Sequence, residues 1–399
     1  MSVASQNDFN RILNINMACS PYSLPEVEDL RNKTMFPPLD QIADIPDGDL
    51  DAKNIWETIR KSGIIPTNVT VKKDNDDNHT SVNQNGYDQT DPDCWFTATG
   101  CTQPKHGNLT MDLTRVPTPN TLGFTIGDAP NCSHNALYNA LQQNNLKATL
   151  FYVGSSVIKY PYQAQRGITD GHDICVQSWS NPYLTTLSNE QVFSELYYTA
   201  LAIKGVLDVT PTCWRPPFGD VDDRVRAIAY GLGLRTIMYD TDVTSSQGYS
   251  RVANKDTSSS PIIQVHEATN SSMSIIIDHL SDLKDAYKFV LPITACMNIT
   301  QPYAEDIRYP NFLEIQDPKF SYHNLPQKYN IKAKATPKYT VVPLDEMTFG
   351  FANSLNATGN NATFPAQTDA KGSAASLIPP SATSLVLASV ALSLSQLLL

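Results

Sequence analysis

Polar residues stand at the ends of several short apolar runs, where α/β enzymes commonly hold their catalytic groups. One run ends at Gly127 and Asp128, and a later one ends at His266. A carboxylate and an imidazole can bind a metal ion or transfer protons. Each residue alone is a weak signal, because Asp at a strand end is commonly a turn residue. Three further polar segments follow other runs: QSWSNPY (177–183), RPPFGD (215–220) and YDTD (239–242).

The elements that would position these residues alternate between strands and helices. Helical patterns lie at 133–145, 188–206, 222–233 and 271–287, and Ser188 is expected to cap the second. Alternation of this kind implies a parallel sheet. About seven strand units without a glycine-rich nucleotide loop favour a (β/α) barrel over a nucleotide-binding sheet. The buried runs lie at 122–128, 147–154, 172–179, 210–217, 234–240, 261–267 and 288–295.

The remaining segments lack this alternation. Residues 1–114 are polar and poorly periodic, so we expect an irregular extension with little core of its own. The barrel is expected over 115–310, followed by an irregular segment at 311–345 and a disordered stalk rich in Ser, Thr and Asn at 346–375. The seven cysteines contain no CxxC pair, which indicates disulfides rather than zinc. We expect a Cys94–Cys101 loop and an unpaired Cys19, since Cys19 precedes the predicted folded region.

Charge and terminal sequences bear on partners and location. The net charge of −11 argues against nucleic acid; an acidic surface could attract a cationic polymer, or could simply be soluble.

Residues 376–399 resemble a glycolipid (GPI) anchor signal, with attachment near Ser373. A tail-anchored helix is the alternative, disfavoured by the short apolar tail. We therefore predict the outer face of the plasma membrane and the cell wall. The first residues contain no signal peptide, so we expect an incomplete N-terminus. The oligomeric state stays open. Sequons for N-glycosylation stand at Asn32, Asn68, Asn78, Asn108, Asn131, Asn270, Asn298, Asn356 and Asn361.

The order and spacing of the polar motifs resemble those of the polysaccharide deacetylases, the NodB-homology domain of carbohydrate esterase family four. The likeness is greatest to fungal chitin deacetylases and spans roughly residues 115–305. The resemblance implies a deformed (β/α) barrel that removes acetyl groups from polymers of N-acetylglucosamine. It also implies a divalent metal, zinc or cobalt, held by an Asp and two His. A second Asp would act as the base and a His as the acid.

The residues that match the metal and base positions depart from this pattern. Asp128 falls on the metal-binding Asp, whereas the base position is Gly127, which has no side chain. Gln177 and Asn181 replace the two histidines, and amides bind zinc poorly. The resemblance therefore indicates the remnant of a catalytic site.

The other motifs are partly retained. Arg215 matches an Arg that steers the base, Asp242 matches the first Asp of the fourth motif as a remnant catalytic residue, and His266 matches the leaving-group acid. Ser245 and Ser246 replace a tuning Asp and a stacking Trp, and Gln264 replaces an apolar pocket residue. Substrate contacts are expected from Trp179, Tyr183, Pro216, Phe218, Gly219 and Tyr239.

Three hypotheses follow. The first is a cell-surface chitin deacetylase homologue with little or no activity, which still binds chitin, chitosan or a related wall glycan. An acidic groove at Asp128, Asp220, Asp240 and Asp242 would favour cationic chitosan. The second is an active deacetylase with a metal regrouped on His172, or on His134, Asp240 and His266. The third is a structural wall glycoprotein. For Trp179 and Trp214, a place in the core is the alternative to a sugar platform.

Overall fold

Eight parallel strands form one curled sheet in the computed structural model, which describes residues 6–75, 78–107, 109–254 and 259–316. The sheet order is β5-β4-β3-β2-β1-β7-β6, and β8 pairs with β1. The predicted barrel-type fold is confirmed, and each of the seven predicted runs contains a strand. The strands are β1 Thr121–Ala129, β2 Thr149–Tyr152, β3 Asp173–Val176, β4 Cys213–Trp214, β5 Arg235–Thr236, β6 Thr241–Asp242, β7 Ile262–His266 and β8 Phe289–Leu291.

Helices cover the sheet and join its strands. The four predicted helices are present, and Ser188 caps one of them through a capping box with Gln191. Because parallel strands need such crossovers, the carboxyl ends of the strands all meet at one edge of the sheet. The helices are α1 Gln6–Phe9, α2 Ile15–Ala18, α3 Pro25–Lys33, α4 Leu50–Lys61, α5 Phe96–Thr99, α6 Asn135–Gln143, α7 Gly154–Lys159, α8 Pro161–Thr169, α9 Asn189–Leu207, α10 Asp223–Gly231, α11 Ser246–Ala253, α12 Asn270–Ala286, α13 Ile293–Cys296 and α14 Phe312–Gln316.

The N-terminal segment is not the irregular extension that we expected. Leu30 of α3 and Trp56 of α4 belong to the main hydrophobic core. Gly205 of α9 lies so close to Leu30 that a Cβ there would come within 2.5 Å of its side chain. The ring centroid of Trp56 lies 5.5 Å from that of Phe193, also on α9. The segment therefore supplies part of the core, and removing it would expose large apolar surface.

Three disulfides link described parts of the chain. Cys94–Cys101 is confirmed, whereas the expected unpaired Cys19 is wrong: it bonds to Cys132, and Cys175 bonds to Cys213. The free thiol among the described residues belongs to the buried Cys296. Among the described helices, none is both long and apolar enough to span a membrane. The predicted stalk, Ser373, the anchor signal and three sequons (Asn108, Asn356 and Asn361) lie outside the described residues.

Candidate functional site

Asp128 lies at the carboxyl end of β1 and is the centre of a hydrogen-bonded cluster. Its Oδ1 accepts hydrogen bonds from Gln177 Nε2 at 2.7 Å and from Asn181 Nδ2 at 3.3 Å. Its Oδ2 lies 2.7 Å from Nδ1 of His266, at the end of β7. The structure thus brings together residues that the sequence places on three different strand ends. All four side chains meet at one edge of the sheet.

The orientation of the Gln177 amide follows from its partners. The backbone N–H of Asp128 donates to Gln177 Oε1 at 3.0 Å, and a backbone N–H can only donate. The oxygen therefore faces this N–H, and Nε2 faces the carboxylate. The second hydrogen on Nε2 is directed at Asn181 Oδ1, 2.6 Å away. Both ends of the amide are occupied by hydrogen bonds within the protein.

His266 lies between two carboxylates. Its Nδ1 faces Asp128, and its Nε2 is 2.6 Å from Oδ1 of Asp242. Both ring nitrogens can donate only when the ring is an imidazolium. Burial lowers the pKa of His266, but the hydrogen bonds and charges of both carboxylates outweigh it and raise the pKa to about 9. Burial likewise raises the pKa of Asp128, and His266 outweighs that effect, so the pKa lies below its ordinary value.

Arg215 is buried and contacts β1 at Thr125, three residues before Asp128. Its guanidinium donates to the hydroxyl of Thr125 at 2.6 Å and to the carbonyls of Ile237 and Met238 at 3.0 and 2.9 Å. It also lies 4.1 Å from the ring centroid of Phe151. Arg215 therefore ties β1 to the segment that follows β5. With glycine at position 127 it has no base to steer.

The aromatic residues that were expected to contact substrate fall into two groups, one buried in the core and one at the surface. Trp179 and Trp214 are fully buried, so the expectation that Trp179 contacts substrate is wrong and the core alternative holds. Phe218, by contrast, is 48% exposed and stacks on Tyr183 with ring centroids 4.5 Å apart. Tyr239 is half-buried. Pro216 and Gly219 are buried in the turn after β4.

Comparisons with known proteins show the family to which this chain belongs. A model of the polysaccharide deacetylase family matches residues 114–237. Chitin deacetylase 2 of Cryptococcus neoformans var. grubii is 44% identical over 325 residues, which cover 75% of this chain and 69% of that protein. The chain belongs to the polysaccharide deacetylase family. The chitin deacetylase of Amylomyces rouxii is 44% identical over 255 residues, 59% of this chain and 60% of that protein. The structure of the chitin deacetylase from Colletotrichum lindemuthianum has a TM-score of 0.44 and 20% identity, covering 48% of this chain and 92% of that chain.

Deacetylases of this family generally depend on a metal ion, and the residues present here do not fit one. The oxygen of Gln177 is held by the Asp128 N–H, so its N–H group faces the site. Because Asp128 and Asp242 face opposite nitrogens of His266, the two carboxylates do not converge on one point. Zinc needs three converging donors such as His and carboxylate. Elsewhere among the described residues, Asp91, Cys94 and Cys101 lie close enough to share a metal, but both cysteines are in a disulfide.

The regrouped metal site is not formed either. His172 is buried at the start of β3, where its Nδ1 accepts the Ala148 N–H at 3.0 Å. The buried His134 is 2.9 Å from the carboxylate of Glu267. Asp240 forms an ion pair with Arg115 at 3.1 Å. Each of these expected ligands serves a structural contact away from Asp128.

The expected acidic groove is also wrong in part. Asp220 is fully buried and accepts hydrogen bonds from Trp95, Thr97 and Thr185. Asp128 and Asp242 remain at the edge, and the His266 imidazolium lies between them. The charge that would favour a cationic polymer is therefore smaller than the sequence indicated.

Two buried acids that position the site were missed from the sequence. Glu267 accepts the Asn131 N–H at 2.7 Å and holds the turn that follows Asp128. Glu195 of α9 accepts the Ser180 N–H at 2.9 Å and the Ala43 N–H at 2.8 Å, which fixes the loop carrying Asn181. Glu267 follows His266 directly, but nothing in its spacing indicated burial. Glu195 lies within a predicted helix, where acids are usually solvated.

Proposed function

We propose that this chain binds polymers of N-acetylglucosamine at the edge around Asp128 and catalyses little or no deacetylation. The polymer is inferred from relatives named chitin deacetylases, one of them 44% identical. The observation that carries the proposal is the set of partners of Asp128: two amides and an imidazolium surround the carboxylate that would otherwise hold a metal.

The loss of catalysis has two separate causes. A general base contributes roughly 10²–10⁴ to the rate of a hydrolysis, and Gly127 has no group to supply it. A metal would supply an activated water, and the donor set here does not fit zinc. Of the remaining polar groups, Asp128 and Asn181 are only partly buried, and a carboxylate or carboxamide can hydrogen-bond hydroxyl and acetamido groups.

We also propose a cell-surface location. The predicted GPI signal near Ser373 supports it, and so do the three disulfides, which persist in oxidising compartments. A surface anchor would place the proposed binding edge next to the polymer in the cell wall.

The second candidate is an active, metal-dependent chitin deacetylase. The identity to enzymes of that name favours it. It requires that Gln177 and Asn181 break their hydrogen bonds to Asp128 and bind a metal, or that other side chains move to bind the metal.

The test measures binding and chemistry on one preparation of the full chain, since the N-terminal helices are part of the core. Isothermal calorimetry reports binding of the N-acetylglucosamine pentamer. Acetate release from the same pentamer is followed with added zinc, with added cobalt and with a chelator. We expect binding without metal-dependent acetate release. Release that the chelator abolishes would establish the second candidate, and absence of both signals would leave a structural wall glycoprotein.

A further inference from the structure

We propose that a small carboxylate anion, the size of formate or acetate, binds on the inner face of the curled sheet between Gly127 and Arg215. We call this space the Gly127 notch. The proposal goes beyond the binding of a polymer and does not depend on it. Three observations carry it: room beside Gly127, a buried guanidinium without a carboxylate partner, and the buried carboxamide of Gln264, whose hydrogen bonds are not made.

Gly127 leaves room on the inner face of the sheet. A Cβ added there would lie 3.4 Å from Gln177 Oε1 and 3.5 Å from Gln264 Nε2, which are ordinary contacts. Gly123 differs, although it lies on the same face of β1, because a Cβ there would come within 2.9 Å of the Ile262 side chain. The φ of Gly127 is not positive, so its backbone does not require glycine either. The inner face is therefore filled at Gly123 and has room at Gly127.

Among the described residues, Arg215 is a buried cation without a carboxylate partner. The other buried arginines, Arg166, Arg224 and Arg226, lie 3.1, 3.9 and 2.7 Å from carboxylate oxygens. Three of the five N–H groups of Arg215 donate to a hydroxyl and two backbone carbonyls, which leaves two for another acceptor. Burial lowers the pKa of Arg215 to about 9, and a bound anion would stabilise its charged form.

The carboxamide of Gln264 has no suitable partner in the part of the chain that the structure describes. Gln264 is 4% exposed, and its Oε1 accepts no hydrogen bond. Its Nε2 lies 3.5 Å from Nε2 of His266, but that nitrogen donates to Asp242 and so cannot accept. A buried amide without hydrogen bonds destabilises the folded protein, and a ligand that accepts its N–H groups would relieve part of this cost.

These features meet at one place on the sheet. Thr125 and Gly127 face the same way on β1, about 7 Å apart along the strand. Arg215 donates to the Thr125 hydroxyl at 2.6 Å, and Gln264 is the register partner of Thr125 on β7. The Gln264 amide also contacts the Cβ position of Gly127. A ligand with its carbon beside Gly127 and its oxygens towards Arg215 would therefore span the notch.

The charges around the notch select a small monoanion. A carboxylate accepts hydrogen bonds from guanidinium and amide N–H groups, and such charge-assisted bonds are the strong ones. Asp128 and Asp242 both face the His266 imidazolium, and Asp242 acts on Arg215 through its charge without an ion pair. Because these two carboxylates lie nearby, a divalent anion such as phosphate is repelled more strongly than formate. A ligand of one or two carbons suits a space the size of a short side chain.

The test titrates the full chain with isotope-labelled formate and follows the broadening of its NMR signal. Acetate is a second small carboxylate, while chloride and inorganic phosphate at matched ionic strength report non-specific anion binding. We expect formate and acetate to bind and to raise the melting temperature, and the other two anions to do neither. Gly127→Ala places a methyl group in the notch at ordinary contact distances, so it should fold normally and weaken the Kd of formate at least tenfold.

Two further variants sharpen the test. Gly127→Asp places a covalent carboxylate beside Arg215, so it should abolish formate binding and melt at a higher temperature than Gly127→Ala. Arg31→Gln is the matched control, because it removes an exposed arginine, paired with Glu28 on α3, and should leave the Kd unchanged. The proposal is overturned if the wild type does not bind formate, or if Gly127→Ala binds it equally well. Since formate is no part of the polymer, either result leaves the proposed function unaffected.

Discussion

Replacing His266 with Gln should remove a large part of the pH dependence of stability between pH 6.5 and 9. His266 donates to Asp128 and Asp242 only as an imidazolium. Despite burial, those carboxylates raise its pKa from 6.5 to about 9 in the folded state. Within this window the folded chain therefore binds one proton more than the unfolded chain.

The sign and size of this pH dependence follow from the linkage between proton binding and folding. Because the pKa is raised on folding, the stabilisation is fully present below pH 6.5 and is lost as the pH rises through about 9. The shift corresponds to at most about 3 kcal/mol. Water screens part of the contribution of Asp242, whose side chain is 35% exposed. The stability difference between the wild type and His266→Gln should thus shrink by about 2–3 kcal/mol across the window.

Urea denaturation at several pH values between 6 and 9.5 measures this difference directly. Subtracting the variant from the wild type cancels other groups, such as Glu195, whose pKa burial raises to about 7. His279→Gln is the control, because His279 faces the single carboxylate of Asp282 on a surface helix. The interpretation of His266 as a partly buried imidazolium is refuted if the difference stays constant from pH 6 to 9.5. A midpoint near 6.5 in an NMR titration of His266 would refute it independently.

Three further outcomes are expected. The triple variant Gly127→Asp, Gln177→His, Asn181→His should bind zinc in calorimetry where the wild type does not; a Cβ at position 127 makes only ordinary contacts of 3.4 Å or longer. Trp56→Ala should lower the free energy of unfolding by about 3–5 kcal/mol in urea denaturation, and a loss below 1 kcal/mol would contradict its place in the core. Asp220→Ala should lower the free energy of unfolding by about 3 kcal/mol or more in urea denaturation, since it leaves four donor groups, three of them buried, without this acceptor.

Most of the sheet could be predicted because β1, β2, β3 and β7 are largely apolar and buried along nearly their whole length. Parallel strands of this kind read as continuous hydrophobic runs. The N-terminal helices could not be separated from loops as easily. Helix α4 buries only Ala52, Trp56 and Ile59, and most of its other residues are polar. The Cys19–Cys132 disulfide depends on distance in space, which a spacing of 113 residues does not reveal.

The positions of the site residues were predictable, but their environments were not. Asp128, Gln177, Asn181 and His266 meet as their strand ends implied. Burial could not be read from the same pattern: Trp179 and Asp220 lie in the interior, although Tyr183 in the segment of Trp179 is partly exposed and Phe218 in the segment of Asp220 is exposed. An aromatic or acidic residue after a strand can face either side of the loop.

Gly127, Gln177 and Asn181, which stand at the base and metal positions of the family, are consistent with one another. A metal in this position would compensate the charge of Asp128, and without it the partly buried carboxylate needs another cation and other donors. The His266 imidazolium supplies the charge, while Gln177 and Asn181 supply N–H groups. Histidines at those two positions would add further imidazoles beside His266 with no carboxylate left to pair with them. The two amides and the imidazolium therefore satisfy the Asp128 carboxylate without a metal, and the cluster has its own charge balance.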